Sequence, residues 1–532
     1  MKRWAIAGVG AVLCATAIPV AEASSSAATS HASLGQISAT WQSDLQGYDL
    51  DNPIGQSSPT IAQINGTADK PTPAIVVGDR TGRLYASDLS TGRTRVLFSS
   101  SVPIDAPPSA ASLTGTGFDT VFFGRGNRGV ACQAADGTWG GYTAVNADAS
   151  VLWKRRVNNP VGDTLCAHNG VGSGMTLYYD NGILDTVGMS LGQSEYAMNA
   201  TTGAVLPGWN PWFQGDSGVS TPAVARLNGP SKSVSIIEGG DSTGGLAYGA
   251  VYQNGGHVRV IRTTGNKGVL GEGGLKCAFD TYANGGQIVE SSPAVGPFLA
   301  NGATGIVSGQ GYFSPFPGSP NMVYALNTSC QVVWSHQLDQ ETSSPILADI
   351  TGTGRLDVII ATQAVSTGGS VESGSVYAFN GATGKRLWRV DTGSVLGSPV
   401  AADLTGSGSA DIVVETPALD KGGLQIIDGA TGTKIWQESQ LSNRDNPQVA
   451  GQSTPIITSD PNGTIGITVA GYHGVCVPLT NPCHPQNVHL AGDVVHFQIA
   501  GSKSQWLTNP LTSWLEFHHD PMLTGNTAGP GV

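Results

Sequence analysis

The sequence predicts an all-β protein built from about eight copies of one four-stranded unit, and three observations support this. The chain has 74 Gly and 30 Pro among 532 residues, and only 12% of its residues are charged. The stretches "SSPILADITGTGRLDVIIATQ" from Ser343 and "GSPVAADLTGSGSADIVVETP" from Gly397 nearly repeat each other. Short β-branched runs bounded by Gly, Pro, Asn and Asp are typical of strands.

Each unit reads as four strands in order. A Ser-Pro turn, as at Ser344-Pro345, opens a short apolar strand, and a Gly/Thr-rich turn then leads into a β-branched run such as "DVIIAT". A tight hairpin, "GSVYAFNGATGKRLW" or "GGLQIIDGATGTKIW", ends the unit at Trp388 or Trp436. Proline is tolerated at the start of the first strand because no ladder hydrogen bond is lost there.

The turn and first strand that begin a unit (the opening) and the hairpin that ends it (the closing) alternate along the chain, and each occurs eight times. The openings begin at Ser57, Pro107, Gly172, Ser220, Ser291, Ser343, Gly397 and Ser453. The closings end at Phe98, Trp153, Trp209, Ile261, Trp334, Trp388, Trp436 and Trp506, of which Ile261 belongs to the poorest copy.

One four-stranded unit cannot bury both of its faces, so the units must pack radially against one another. We therefore predict a β-propeller over residues 41–510 with about eight blades, or seven as the alternative. The closing Trp is expected to wedge between adjacent blades. "ATWQSDL", from Ala39 to Leu45, resembles a further closing strand that would join the last blade and bring the termini together.

The N-terminus predicts export. Lys2 and Arg3 precede the apolar run "WAIAGVGAVLCATAIPV", and Ala21-Glu22-Ala23 offers small residues to a signal peptidase. We predict a signal peptide over residues 1–23, a flexible N-terminal segment over 24–40, and a secreted or extracellular protein, with attachment to the cell wall left open. No later stretch reaches the roughly 18 apolar residues of a membrane-spanning helix.

The charge balance disfavours some partners. The formal net charge is -12, and no basic run follows the extreme N-terminus. Nucleic acids and anionic membranes are therefore not expected as partners, because both need clustered Lys and Arg. A monomer with an unknown protein or carbohydrate ligand is the expectation.

Without Cys14 of the signal peptide, the mature chain has an even number of cysteines, which in an exported protein favours disulfides. They are Cys132, Cys166, Cys277, Cys330, Cys476 and Cys483. The sequence leaves the pairing open. We favour pairing of nearest neighbours, since each bridge would then staple one local insertion.

The repeat resembles two known families. "AFNGATGKRLWRVDTG", from Ala378 to Gly393, is similar to the Trp motif of quinoprotein-like (PQQ-like) propellers, and "ADITGTGRLDVII" resembles the FG-GAP repeat of integrin α-type propellers. "SWLEFHHDPMLTG" carries a W-x-x-F-H-H-D motif within the C-terminal segment 511–532, where the resemblance implies a strand or terminal brace. The resemblance covers nearly the whole mature chain and specifies fold more than function.

The FG-GAP resemblance implies calcium sites. The candidate ligands of a weakly bound calcium are Asp349 and Asp357 in one repeat, and Asp403 and Asp411 in the next. Thr351, Thr353, Thr405 and Ser407 occupy the middle ligand positions. Calcium prefers about six or more oxygen ligands, so the alternative is that these carboxylates accept hydrogen bonds from their own turns.

The quinoprotein resemblance implies pyrroloquinoline quinone over calcium, a catalytic Asp and a disulfide between adjacent cysteines. No two cysteines of this chain are adjacent. We therefore expect no quinone cofactor and assign no catalytic residue. "GDSG" at residues 215–218 resembles a protease nucleophile loop but reads as the entry turn of a repeat, since no second protease motif accompanies it.

Two histidine groups are weaker candidates for metal ligands. His473, His484 and His489 lie near Cys476 and Cys483, a set that could hold zinc, although a disulfide between the two cysteines is the favoured reading. His518, His519 and Asp520 form the second group.

Long insertions between strands are the candidate ligand-binding loops, because propellers bind through such loops or the central channel. The insertions span residues 124–141, 158–170, 263–287 and 309–321. The last contains Tyr312, Phe313 and Phe316, aromatic side chains suited to stacking on sugar rings or peptide side chains.

These observations predict a non-catalytic binding or interaction scaffold at the cell surface or outside the cell. The alternative is an enzyme, either active on polysaccharides or a degenerate quinoprotein-like dehydrogenase. A catalyst should bring two carboxylates, or a His and a carboxylate, together at the channel mouth. The sequence alone cannot show which side chains of separate blades meet there.

Overall fold

The structure is a computed structural model of the full chain. It describes residues 33–49, 57–113, 117–126, 140–157, 170–190, 194–209, 212–213, 220–229, 232–241, 256–263, 274–281, 289–310, 321–364, 372–417, 421–439, 453–476 and 488–529.

The described strands number 33 and are given in chain order. The first strand and blade 1 comprise β1 (Ile37–Asp49), β2 (Thr60–Thr67), β3 (Lys70–Gly78), β4 (Arg83–Asp88) and β5 (Thr94–Ser99). Blade 2 comprises β6 (Ser109–Ser112), β7 (Asp119–Arg125), β8 (Gly141–Val145) and β9 (Val151–Arg156). Blade 3 comprises β10 (Thr176–Asp180), β11 (Ile183–Met189), β12 (Ser194–Asn199) and β13 (Trp212–Phe213). Blade 4 comprises β14 (Ala223–Ala225), β15 (Ser235–Asp241), β16 (Gly256–Arg262) and β17 (Leu275–Asp280).

The second half of the chain follows the same order. Blade 5 comprises β18 (Ala294–Gly296), β19 (Gly305–Gly309), β20 (Met322–Asn327) and β21 (Val332–Gln337). Blade 6 comprises β22 (Glu341–Thr342), β23 (Ile346–Ala348), β24 (Asp357–Gln363), β25 (Ser375–Phe379) and β26 (Arg386–Asp391). Blade 7 comprises β27 (Val400–Ala402), β28 (Asp411–Glu415), β29 (Leu424–Ile427) and β30 (Lys434–Glu438). Blade 8 comprises β31 (Ile456–Ser459), β32 (Ile465–Cys476) and β33 (Val488–Ile499), together with β1. Short 3-10 helices occupy Ala300–Gly302 and Ser504–Thr508.

The eight sheets confirm the predicted all-β propeller and settle the blade count at eight rather than seven. Each sheet is an antiparallel meander of four strands, except that the inner edge of blade 6 is split into β22 and β23, both paired with β24. The innermost strands of successive blades contact one another around a common axis. The second and third strands of a blade are almost wholly buried, as in β24 and β25, because neighbouring blades cover both faces.

Strand β1 closes the ring. It pairs with β33 as the outermost strand of blade 8, from Ile37 opposite Ile499 to Asp49 opposite Leu490. The N-terminal strand therefore joins the last blade, as "ATWQSDL" predicted, and it begins four residues before the expected propeller boundary at residue 41. Trp506 was wrongly read as the closing residue of the last blade: it lies in the 3-10 helix Ser504–Thr508, because β1 already occupies that edge.

The predicted Trp wedge is present between blades. Trp334 in the outer strand of blade 5 donates its indole N–H to the carbonyl oxygen of Gly381 in blade 6, at 2.8 Å. A side chain at Gly384 (φ 69°) in the adjacent turn would collide with the Trp334 ring. Trp41, Trp153, Trp209 and Trp388 donate to carbonyl oxygens of their next blades in the same way. Each of these five interfaces thus packs a large apolar ring between blades and satisfies its one donor.

Blades 4 and 5 are joined differently, by a disulfide between Cys277 and Cys330 with Cα atoms 5.8 Å apart. In blade 4, Cys277 of the outer strand lies opposite Val260 of the third strand. In blade 5, Trp334 of the outer strand lies opposite Ala325 in the same way, and in both blades the strand register shifts at the next position. Cys330 has a φ of 59° and takes the left-handed turn position of Gly384. The disulfide therefore replaces the Trp–Gly contact at the same two places.

This finding confirms the pairing of Cys277 with Cys330 and corrects the reason given for it. The bridge joins two blades rather than stapling one insertion. The predicted insertion 263–287 also contains the outer strand β17, so Ile261 lies in the third strand of blade 4 and does not end the blade. Cys132, Cys166 and Cys483 lie outside the described residues, as does the side chain of Cys476.

Among the described residues, no helix is both long and apolar enough to cross a membrane.

Candidate functional site

The C-terminal segment 511–527 runs once around the inside of the ring. Backbone N–H groups of seven innermost strands, or of the residue just after, donate to its carbonyl oxygens at 2.7–2.9 Å. In segment order the acceptors are Leu511, Trp514, Leu515, Pro521, Met522, Thr524 and Gly525, and the donors are Asp349, Ala401, Ile457, Ala110, Leu177, Val224 and Val295. In the remaining blade, Ile61 N–H and the Thr60 hydroxyl donate to the Glu516 carboxylate. The segment is thus the terminal brace that the resemblance implied.

Hydroxyl groups that accept a backbone hydrogen bond lie around the axis at five of the eight openings, at the residue before the Pro. The side-chain oxygens of Ser58, Thr221, Ser292, Ser344 and Thr454 each accept a backbone N–H from the preceding blade, at 2.8–3.0 Å. We call these five residues the hydroxyl ring. Its hydroxyl protons find no acceptor among the residues that the structure describes, although a hydroxyl both donates and accepts.

The hydroxyl ring lines a pocket on the propeller axis, with an empty volume of about 570 Å³ that includes space open to solvent. Phe517 of the C-terminal segment, half-buried, also lines it. Glu290 and Gln363 contribute one carboxylate and one amide, and their residues are 6% and 3% exposed. The side-chain oxygen of Gln363 is buried and accepts no hydrogen bond in the described part of the chain.

The described lining of the pocket combines Ser and Thr hydroxyl groups with apolar surface from Pro107, Leu396 and the Phe517 ring. Glu290 is the one carboxylate among its described lining residues, and no Lys, Arg, His or Cys is among them. Such a lining can exchange hydrogen bonds with a polar ligand.

The brace beneath the pocket buries two titratable groups. Burial raises the pKa of Glu516 to about 8. The hydrogen bond from Thr60 lowers this pKa, and the nearby charge of Asp520 raises it further. Burial lowers the pKa of His518 to about 4, while its two ring nitrogens face the carbonyl oxygens of Leu523 and Pro293 at 2.6 and 3.0 Å. His519 pairs with Asp520 at 3.0 Å. These contacts fix the segment that carries Phe517.

The four candidate calcium ligands lie away from the pocket, where the innermost strands end and the second strands begin. The Asp349 carboxylate accepts hydrogen bonds from Thr353 N–H and Gly354 N–H. The Asp403 carboxylate accepts three, from the N–H groups of Gly406, Ser407 and Gly408 at 2.7–3.0 Å. The contacts expected of turn-capping carboxylates are therefore present.

Their partners across the turn are buried. The Asp411 carboxylate accepts a hydrogen bond from Leu404 N–H, and Asp357 accepts one from the Thr351 hydroxyl. Burial raises the pKa of Asp357 and of Asp411 to about 7. In the described residues no group of three or more His, Cys, Asp or Glu side chains has the arrangement of a metal site. Calcium at these turns stays a prediction.

The other ligand-binding candidates, Tyr312, Phe313 and Phe316, lie outside the described residues. The same holds for residues 215–218 and His484, and for the side chains of His473 and His489.

A second polar cluster joins blades 3 and 4. The Arg259 guanidinium pairs with Glu238 at 2.8 Å and contacts the His257 ring. Burial raises the pKa of Glu238 and of the neighbouring Glu195, while burial and the Arg259 charge lower the pKa of His257 well below its usual range. All four side chains are almost wholly buried, and none lines the axial pocket.

Sequence reasoning missed the pocket residues Glu290, Gln363 and Phe517. One signal was available: a Ser or Thr precedes Pro at six of the eight openings. Because this position recurs at the inner edge of six blades, the repetition indicates a shared environment near the axis as well as a strand start.

A family model for the outer membrane protein assembly factor BamB matches residues 283–514. No curated protein matches the chain in sequence. Among solved structures, a europium-containing methanol dehydrogenase is similar with a TM-score of 0.53 and 11% identity, covering 87% of this chain and 93% of that one. The quinohemoprotein alcohol dehydrogenase ADHIIG from Pseudomonas putida HK5 gives 0.53 and 12%, covering 88% and 77%.

BamB from Moraxella catarrhalis gives a TM-score of 0.46 with 13% identity, covering 88% of this chain and 98% of that one. The family match and the two dehydrogenases agree with the PQQ-like resemblance and with the eight-bladed fold. At these identities the likeness concerns the fold.

Proposed function

We propose that the chain is an exported, non-catalytic β-propeller that binds a ligand in its axial pocket and acts as a binding scaffold at the cell surface or outside the cell. The lining of the pocket carries the proposal. Within the part of the chain that the structure describes, it offers hydroxyl protons without acceptors, an amide oxygen without a donor, and Glu290 as its one carboxylate. Such groups can form hydrogen bonds with a polar ligand.

The alternative, a degenerate quinoprotein-like dehydrogenase, draws support from the fold alone. Pyrroloquinoline quinone carries three carboxylates, which would lie beside Glu290 with no Lys or Arg among the described lining residues. Placing further carboxylates in a buried site beside another carboxylate is unfavourable. The described residues of the pocket do not fit that group.

The first test is for turnover. The purified mature chain is incubated with alcohols, pyrroloquinoline quinone, calcium and an electron-accepting dye, and separately with polysaccharides followed by a reducing-end assay. We expect no product above a heat-denatured control. Sustained product formation in either assay would overturn the non-catalytic assignment.

Export is tested separately by fractionating cells that express the full chain. We expect the protein in the medium or the cell-wall fraction, with a mature N-terminus at Ser24 by mass spectrometry. Recovery from the cytoplasm with residues 1–23 intact would contradict the exported location.

A further inference from the structure

We propose that the axial pocket binds a neutral sugar unit, with the hydroxyl ring around it, Gln363 at its side and Phe517 against one face. The proposal rests on the proposed binding function and names the class of ligand. It draws on three independent features of the pocket, namely its donors, its acceptor and its aromatic surface.

The donors come from the hydroxyl ring. Each of its oxygens already accepts a backbone N–H at 2.8–3.0 Å from the preceding blade. That bond uses one of the two lone pairs of the oxygen and leaves the hydroxyl proton as the one donor of the group. Five such protons, arranged around one axis, fit a ligand that presents oxygen acceptors around its perimeter. Sugar hydroxyl and ring oxygens are arranged in this way.

The acceptor is the side-chain oxygen of Gln363. Its residue is 3% exposed, and the oxygen has no donor among the described residues. A buried polar atom left without a partner costs about 1–3 kcal/mol. A ligand hydroxyl would remove that cost, whereas a ligand with acceptors alone would not. The pocket therefore calls for a molecule that both accepts and donates, as a sugar hydroxyl does.

Phe517 supplies the aromatic surface. It is held in place because its neighbours Leu515 and Glu516 are hydrogen-bonded to blades 8 and 1. An aromatic face attracts weakly positive groups through its negative quadrupole, and the C–H bonds on the face of a sugar ring are of this kind. Stacking on Phe517 would leave the sugar hydroxyls at the perimeter, where the hydroxyl ring lies.

The charge of the pocket selects for a neutral ligand. No Lys, Arg or His is among its described lining residues, while Glu290 lines it and the whole chain carries a formal net charge of -12. An acidic sugar would bring a carboxylate toward Glu290 and is disfavoured. An amine would be attracted by Glu290 and would use the hydroxyl protons poorly, since an ammonium group has no acceptor.

The test is isothermal titration calorimetry of the mature chain at pH 6 with three matched sets of probes. The neutral set is glucose, galactose, N-acetylglucosamine and cellobiose; the acidic probe is glucuronate, and the amine probe is glucosamine. We expect saturable binding of at least one neutral sugar, with glucuronate weaker by about tenfold or more, a loss that corresponds to about 1.4 kcal/mol.

Two pocket variants and two controls locate the binding. Gln363→Leu removes the unpartnered oxygen without breaking a described hydrogen bond, and Phe517→Leu removes the aromatic face. Each should weaken sugar binding by about tenfold, the effect of one lost hydrogen bond or ring contact to a ligand. The controls are Gln437→Leu, at an exposed position of β30, and Tyr179→Leu, 38% exposed in β10. Both should leave binding within about twofold of wild type.

The outcomes separate this inference from the proposed function. Binding of glucosamine or glucuronate alone, binding of no probe, or sugar binding unchanged in both pocket variants would overturn the neutral-sugar assignment. None of these results bears on the turnover and export tests. Sustained turnover would instead overturn the non-catalytic function while leaving a sugar-binding pocket intact.

Discussion

Successive blades contact each other at the outer edge of the propeller and again at its axis. The two contacts differ in which hydrogen-bonding groups they leave without a partner in the described part of the chain. At the outer edge, Trp334 fills the gap over Gly384 and its indole N–H reaches Gly381, so that no polar group is left over. At the axis, Thr454 accepts the N–H of Ser398 but its own proton finds no described acceptor. The outer contact is complete within the protein, whereas the inner one leaves a hydroxyl proton that a ligand can use.

The difference shows how one repeat supports both stability and binding. The outer contacts, whose indole N–H groups are hydrogen-bonded within the protein, set the geometry of the ring. Between blades 4 and 5 a disulfide takes the same role at the same positions. The inner contacts use Ser and Thr, whose hydroxyl groups can still donate a hydrogen bond after accepting one. We expect outer substitutions to change stability alone, and inner substitutions to change ligand binding as well.

The largest expected effect is that of Trp334→Ala. It empties a buried wedge and leaves the Gly381 carbonyl without its donor, so the free energy of unfolding should fall by about 3–5 kcal/mol. Chemical denaturation measures this, with Val333→Ala, at a 48% exposed position, as the control. The ligand affinity of the folded variant should be unchanged. A loss of affinity would contradict the claim that the outer contacts affect stability alone.

Replacing both Cys277 and Cys330 with Ser should cost about 2–4 kcal/mol, the usual contribution of a disulfide. The structural equivalence adds a sharper expectation: the double variant Cys277→Trp, Cys330→Gly should recover part of this loss, because it restores the residue pair found between blades 5 and 6. Thermal unfolding under non-reducing conditions compares the three proteins. A Trp–Gly variant less stable than the Ser–Ser variant would refute the equivalence.

Thr454→Val should cost about 1–3 kcal/mol, because the nearly isosteric change leaves the N–H of Ser398 without its acceptor. Ser398→Ala is the matched control for stability alone, since in the described part of the chain the Ser398 hydroxyl accepts no ring hydrogen bond, although Ser398 also lines the pocket. Denaturation curves and calorimetric titrations of both variants give the two quantities. Unchanged stability together with unchanged affinity in Thr454→Val would contradict the role of the hydroxyl ring.

Stability should fall as the pH rises through 7 to 8. The pKa of Glu516 is raised to about 8 and those of Asp357 and Asp411 to about 7, so the folded state holds these protons longer than the unfolded chain does. A raised carboxyl pKa contributes stability below the unfolded value near 4, which is lost as the pH rises through the folded value. Glu516→Gln should flatten the decline between about pH 5 and 8, where the folded and unfolded states differ in the protonation of Glu516. A variant with the wild-type pH profile would contradict the assignment to Glu516.

The smallest expected effect is that of calcium. Turn N–H groups already occupy the carboxylates of Asp349 and Asp403, so we expect EDTA and added calcium to leave the thermal midpoint unchanged. A ligand that binds only the folded state raises the midpoint by mass action. A clear rise with calcium that disappears in Asp403→Asn would establish an ion site at these turns.

The blade architecture was predictable because each of its signals is local. The Ser-Pro openings, the β-branched second strands and the closing Trp lie within one repeat, and "ATWQSDL" carried enough of the pattern to indicate ring closure. The outer strand of blade 4 was missed because a long insertion separates β17 from Ile261, and no Trp marks it.

The candidate site was predictable only in part, because it forms where separate blades converge. Glu290, Gln363 and Phe517 come from three parts of the chain, and no sequence spacing relates them. The equivalence of Cys277 with the closing Trp likewise appears only through the cross-strand register. Local chemistry did predict the turn contacts of Asp349 and Asp403 as one of two readings.

The central claim is that the axis, rather than the outer loops, holds the ligand. The most direct measurement is a crystal structure of the mature chain grown with the neutral sugar that binds most tightly. We predict one sugar unit against Phe517, with its hydroxyl groups within hydrogen-bonding distance of Gln363 and the hydroxyl ring. A sugar bound at the loop residues 309–321, with the axial pocket holding water alone, would contradict the account.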